Sequence, residues 1–131
     1  MPSWRRVNTP ELPEIPAFAH AAVAGEHIYV SGMFGWEPQR MTVVEGGVAA
    51  ETTVALRHVE RILAACHASL ADIVKVTVYL TDMADWEEMN RAYVAVFGAS
   101  TPARIAVGCS ELILGAAVEF DCVAWRDKGR R

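Results

Sequence analysis

The sequence predicts an α+β domain: one six-stranded mixed sheet with two helices packed on one of its faces. Three observations predict it. Apolar side chains recur at the i, i+3, i+4 spacing of a helix over residues 56–70, and again over 86–97. Around them, short stretches alternate apolar and polar side chains with the period of two that marks strands. The elements follow as β-β-β-α-β-α-β-β with no linker, repeat or low-complexity tract, so both helical stripes must be buried against one sheet.

Residues 1–16 are polar and proline-rich and predict a short edge strand and a loop. "AFAHAAVA" (17–24) and "HIYVSGMF" (27–34) flank Gly25-Glu26 and read as a hairpin. "GWEPQRM" predicts a turn with an exposed Trp36, and "EGGVAA" a second turn that lacks the lysine and spacing of a phosphate loop. From about residue 49, Leu56, Val59, Ile62, Leu63, Cys66 and Leu70 line one side of an amphipathic helix of about five turns, with Arg57, Glu60 and Arg61 opposite. In "DIVKVTVYLTD", Val74, Val76, Val78 and Leu80 point one way and Lys75, Thr77 and Tyr79 the other. The second helix takes Asp82 or Asp85 as its N-cap, ends before Gly98, and buries Trp86, Met89, Tyr93 and Phe97. "TPARIAVGC" alternates again. A loop, "SELILGA", leads to "AAVEFDCVAW", with Val118, Phe120, Cys122 and Ala124 on one face and Ala117, Glu119, Asp121 and Val123 on the other.

The chain has 131 residues, 53% of them hydrophobic and 21% charged, which fits a single domain over 1–131 with a real core. A net charge of −4 and scattered basic residues argue against a nucleic-acid groove. The closing "RDKGRR" reads as a solvated tail. No segment is long and apolar enough for a bilayer, and the N-terminus carries prolines and charges where a signal peptide needs an apolar stretch. A cytoplasmic location is the default expectation. The three cysteines form no CxxC pair, and Cys66 and Cys122 read as core residues. The four histidines show no metal-ligand spacing, and no cofactor motif is present, so neither a metal nor a cofactor is expected.

The sheet face away from the helices would carry Lys75, Thr77, Tyr79, Tyr29, Ser31, Glu119 and Asp121, joined by Arg104 if its strand keeps the same pleat. Such a face meets water or copies of itself in a closed assembly. Arg104 then has two readings. It is a structural cation paired across strands with Glu119 or Asp121. Or it is a clamp for a small substrate's carboxylate, held through two parallel hydrogen bonds. Glu119 is the natural partner in the second reading, able to orient or deprotonate a water, and Asn90 could offer an amide.

Read in register, these segments resemble the RidA (YjgF) family of imine/enamine deaminases. "AFAHAAVAG" looks like its first hairpin strand and "IYVSGMFG" like its V-S-G-Q segment. "SLADIVKVTVYLTDMADWEEMNRAYVAVFG" follows the family pattern through Asn90, Tyr93 and Phe97. "TPARIAVG" carries the P-A-R signature, and "GAAVEFDCVAW" matches the closing V-E-I-x-x-x-A strand. The resemblance covers nearly the whole chain.

It implies a chorismate-mutase-like fold, a homotrimer with the sheets as an inner barrel, and active sites in the clefts between subunits. It also implies hydrolysis of 2-aminoacrylate or 2-iminobutanoate species to the keto acid and ammonia, without metal or cofactor. By position, Arg104 would clamp the substrate carboxylate with help from the backbone N–H of Ala106, and Glu119 would hold the water. Gly32 would leave room for the substrate, with backbone contacts nearby at Ser31, and Asn90 and Phe18 would line the cleft. The chain departs from the family pattern at Phe18 (usually tyrosine), Met33, Ile105, Ala106 and Ile113, with Phe34 and Trp36 adding bulk near the rim. A pathway-specific enzyme for a larger or more apolar imine therefore stays open, as does a non-enzymatic trimeric ligand-binding or holdase-like protein.

Overall fold

A computed structural model describes residues 3–127. The strands are β1 (Arg5–Val7), β2 (Ala21–Ala24), β3 (His27–Val30), β4 (Met33–Phe34), β5 (Trp36–Glu37), β6 (Thr42–Val43), β7 (Ile73–Leu80), β8 (Ala103–Gly108) and β9 (Val118–Trp125). The helices are α1 (Gly47–Ala65) and α2 (Trp86–Phe97). The main sheet runs β1-β2-β3-β9-β7-β8, six strands, with β4 added against β9; β5 and β6 form a separate pair. Only β7 and β8 are parallel, joined through α2 as a parallel pair requires. The expected α+β layer is present. The second hairpin segment breaks at Ser31-Gly32, so that β4 can run on along β9 where β3 stops.

The core lies between the sheet and the helices. Leu56, Val59, Ile62 and Leu63 of α1 and Met89, Tyr93 and Phe97 of α2 meet Val76, Val78 and Leu80 of β7 and Val118, Phe120, Cys122 and Ala124 of β9. Cys66 and Cys122 are buried, as expected of small core residues.

Four readings need correction. Val74 does not face the core: the β7–β9 register shifts between Ile73 and Lys75, which buries Ile73 and leaves Val74 48% exposed. Such a bulge puts two residues where the pattern counts one. Trp36 is buried, not exposed; its Nε1–H donates to Met33 Sδ at 3.4 Å and its ring lies edge-on to His58. The first helix stops at Ala65, and Leu70 opens a separate 3-10 turn capped by Ser69 and Asp72. Arg126, assigned to the solvated tail, is 4% exposed; residues 128–131 of that tail lie outside the described residues.

Candidate functional site

Strand register decides where each functional side chain points. On β9, Glu119 stands opposite Tyr79 of β7 and, on its other side, opposite Phe34 of β4. Paired residues share a face, so Tyr79, Glu119 and Phe34 form one row on the face away from the helices. Gly32 sits directly beneath the Glu119 carboxylate: a β-carbon on Gly32 would collide with Glu119 Oε2. Only glycine leaves that approach open.

The Ser31 hydroxyl donates to the Ala19 carbonyl at 2.6 Å, and its N–H donates to the His20 carbonyl at 3.0 Å. These bonds tie Ser31-Gly32 to the loop carrying Phe18, whose own N–H donates to Ile15. His20 anchors that loop in one tautomer. Its Nδ1 accepts from the Thr9 N–H and its Nε2–H donates to the Pro13 carbonyl.

Two adjoining clefts share Ser31, Gly32 and Glu119. One, of about 430 Å³, adds Val30, Tyr79, Leu112 and Asp121. The other, of about 330 Å³, adds Phe18, Phe34 and Ile113. Burial, helped by the negative charge of Asp121, raises the Glu119 pKa above the ordinary carboxylate range.

Arg104 lies elsewhere. Its register partner on β7 is Val76, and that of Ala106 is Val78, so both point to the helix side of the sheet. The expected placement of Arg104 among Glu119 and Asp121 is wrong, and so is the cross-strand pairing, because β7 separates β8 from β9. Ala103, Ile105 and Val107 occupy the other face, with Ile105 50% exposed. The guanidinium rests on aromatic rings of α2: it lies 4.8 Å from the Tyr93 centroid and 6.0 Å from that of Trp86, with Nη1 3.8 Å from Met89 Sδ. Among the described residues, no carboxylate forms an ion pair with it; Arg57–Glu60 and Arg61–Glu11 are pairs elsewhere in the molecule. Trp86, expected in the buried stripe, is 42% exposed beside Arg104.

Asn90 shares that side of α2 with Trp86 and Tyr93, four and three residues away. Its Oδ1 is buried without a hydrogen-bond partner, as is the Tyr93 hydroxyl. Burial pushes the Tyr93 phenol up to about 12, so it stays protonated at any working pH.

The sequence-predicted residues therefore form two groups. Phe18, Ser31, Gly32 and Glu119 converge on one cleft. Arg104, Ala106 and Asn90 cluster at the β8 edge on the opposite side of the sheet. Sequence reasoning put Tyr79 and Asp121 on this sheet face without assigning them to the cleft, and missed Leu112 and the Tyr93–Trp86 bed beneath Arg104. The helical period did mark Tyr93 and Trp86, but as core. Among the described residues, no group of three His, Cys, Asp or Glu side chains is placed to hold a metal ion, and no helix is long and apolar enough to cross a membrane.

Fold and site together define a small α+β domain bearing a half-buried carboxylate in one cleft and an unpaired guanidinium at a sheet edge. The chain belongs to the RidA (YjgF) family: the family model described as "Endoribonuclease L-PSP" matches residues 9–126. It is 35% identical over 113 residues to a RutC family protein of Pyrococcus horikoshii, covering 86% of this chain and 90% of that one. It is 34% identical over 121 residues to human 2-iminobutanoate/2-iminopropanoate deaminase, covering 92% and 88% of the two chains. The crystal structure of RidA from an Antarctic Psychrobacter superposes with a TM-score of 0.86 at 30% identity, covering 92% of this chain and 98% of the other.

Proposed function

We propose that this protein is a cofactor-free hydrolase of small reactive 2-imino and enamine acids, working in clefts between the subunits of a homotrimer. The observation that carries the reading is the separation of Arg104 from Glu119. They stand on opposite faces of the sheet and two strands apart, about 10 Å by strand spacing alone. One chain cannot bring both to a molecule as small as an imino acid. Arg104 sits on an edge strand, and among the described residues no acid pairs with its guanidinium. A second copy packed against that edge would deliver the guanidinium to the Glu119 cleft, and the human relative's deaminase activity supports the chemistry.

In such a cleft Arg104 holds the substrate carboxylate through two parallel hydrogen bonds. A protonated imine carbon is already a strong electrophile, so the protein has only to fix it and deliver a water. Glu119 takes a proton from that water as its oxygen bonds to C2, giving a carbinolamine. The proton passes to nitrogen; as the C–N bond breaks and ammonia leaves, Glu119 takes the proton of the C2 hydroxyl, which becomes the carbonyl, and returns it to the departing ammonia as ammonium. One protonated imine and one water give one 2-keto acid and one ammonium ion. The raised pKa of Glu119 suits it to this exchange, since a base nearer neutrality both accepts and returns the proton.

Mixing two inactive chains tests the reading. Arg104→Ala and Glu119→Gln should each abolish ammonia release from imines made in situ by an amino acid oxidase. Unfolded together at equal amounts and refolded, they should regain about one quarter of wild-type activity, one half for each contributed residue. A mixture as inactive as its components would refute a cleft shared between chains.

A further inference from the structure

The two walls of the Glu119 cleft differ in chemistry, and the difference bears on which imino acids the cleft takes. This inference rests on the hydrolase reading above. On the β7 side stand Tyr79 and Asp121. On the β4 side stand Phe18, Phe34 and Ile113, and Glu119 is the only ionisable group of that half. We propose that the Phe18–Phe34–Ile113 wall is the pocket for the substrate side chain, and that the preferred imino acids carry a branched aliphatic or aryl side chain rather than methyl or ethyl.

An imino acid has three parts to place. Its carboxylate needs a cation and cannot lie against Asp121 or Glu119. Its C2 must come within reach of the water on Glu119. The remaining substituent is the side chain, and apolar walls favour an apolar one, because an unpaired polar group there would lose water without gaining a partner.

Size points the same way. This half of the cleft, the space beside Ser31, Gly32 and Glu119 included, measures about 330 Å³, many times the room a single water or methyl group occupies. A methyl or ethyl group would leave most of the wall uncovered. The wall is also held in place. Phe34 stacks on buried Trp36 with centroids 5.9 Å apart, and the β4–β9 register fixes it beside Glu119. The Phe18 backbone is fixed by the Ile15–Phe18 bridge. Ile113 is presented by a turn whose next residue, Leu114, takes a left-handed φ of 56°, a conformation a branched or bulky residue adopts only when its surroundings enforce it.

The test pairs binding with turnover. Binding of pyruvate, 2-oxobutanoate, 4-methyl-2-oxopentanoate and phenylpyruvate is measured by calorimetry on the intact protein. Turnover is measured on the imines produced by oxidising alanine, 2-aminobutyrate, leucine and phenylalanine, with spontaneous hydrolysis subtracted. Affinity and kcat/KM should climb with side-chain size, about fourfold per buried methylene, so that the leucine-derived compounds, with two more carbons, exceed the 2-aminobutyrate-derived ones by about sixteenfold. Ile113→Ser and Phe34→Ser should each flatten that gradient. Affinity that stays level or falls as the side chain grows would overturn the assignment, and so would a gradient that survives both substitutions. A gradient in binding with no turnover of any imine would leave the pocket standing and remove the hydrolytic reading instead.

Discussion

The guanidinium of Arg104 is held by π faces rather than by acids. Tyr93 at 4.8 Å is the nearer ring, and a desolvated contact of this kind contributes about 0.5–2 kcal/mol. The arrangement fixes the side chain, with Nη1 donating only to Met89 Sδ and no acid of the described residues pairing with it. Tyr93→Leu should therefore raise KM for a carboxylate substrate by about two- to thirtyfold, the kinetic equivalent of that contact. Tyr93→Phe keeps the ring and discards only a hydroxyl that has no partner, so it should hold KM near the wild-type value. Equal effects of the two changes would show that the ring does not position Arg104. Glu119 carries a second residue-scale expectation. Burial and then the charge of Asp121 raise its pKa, so the active carboxylate form is lost as pH falls, through a midpoint above the ordinary 4.5. Removing the neighbouring charge with Asp121→Asn favours the ionised form and should move this acid limb of kcat/KM to lower pH. Comparison on the same substrate cancels the substrate's own titration. At this scale the sequence identified the residues but not their directions. Ala103, Ile105 and Val107 alternate with Arg104 and Ala106, yet neither side of an edge strand is fully buried, so the alternation carries no sign.

Among elements, one carboxylate adds a hydrogen bond to the apolar packing of α1 on β9. Glu51 lies near the start of α1, 6% exposed, and its Oε1 accepts the N–H of Ala117 at 2.7 Å just before β9 begins. Gly35 runs so close to the Glu51 backbone that a β-carbon there would strike it. Glu51→Ala would leave the Ala117 N–H without its acceptor and should destabilise the protein by about 1–3 kcal/mol in chemical denaturation. Burial raises the Glu51 pKa despite the opposing backbone hydrogen bonds. The folded chain therefore binds this proton more tightly than the unfolded chain. Its contribution to stability falls as pH rises from the ordinary carboxylate value through the raised one. Glu51→Gln, which cannot ionise, should gain stability relative to wild type across that rise; a constant difference would refute the account. Both helices and the long strands were legible because each has one buried side. The bulge at Val74 and the inward turn of Trp36 were not, since an inserted residue and a folded-back loop leave no period to read.

For the whole molecule, the sheet face away from the helices leaves apolar side chains partly uncovered. Tyr29 is 47% exposed and Ile105 50% exposed on it, beside Thr77, Tyr79 and Val123. A trimer that closes these faces inward should sediment at about 43 kDa, three times the 14.3 kDa chain. Ile105→Glu would place a charge on that face and should yield monomers with helical content intact and activity lost with the partner's residues. Monomeric wild-type protein at micromolar concentration, or an active Ile105→Glu monomer, would contradict the shared cleft.

By itself the sequence determined the α+β layering, the position of both helices, the core and the family, because hydrophobic period and segment order are properties of the chain. It also marked Glu119, Gly32 and Arg104 as the residues to watch. Tertiary structure alone decided that Arg104 and Glu119 face opposite ways, that Phe34 rather than a polar side chain stands beside the carboxylate, and that two aromatic rings bed the guanidinium. Those facts depend on pairing register, and register is set by contacts between segments far apart in the chain, where a shift of one residue reverses every side chain.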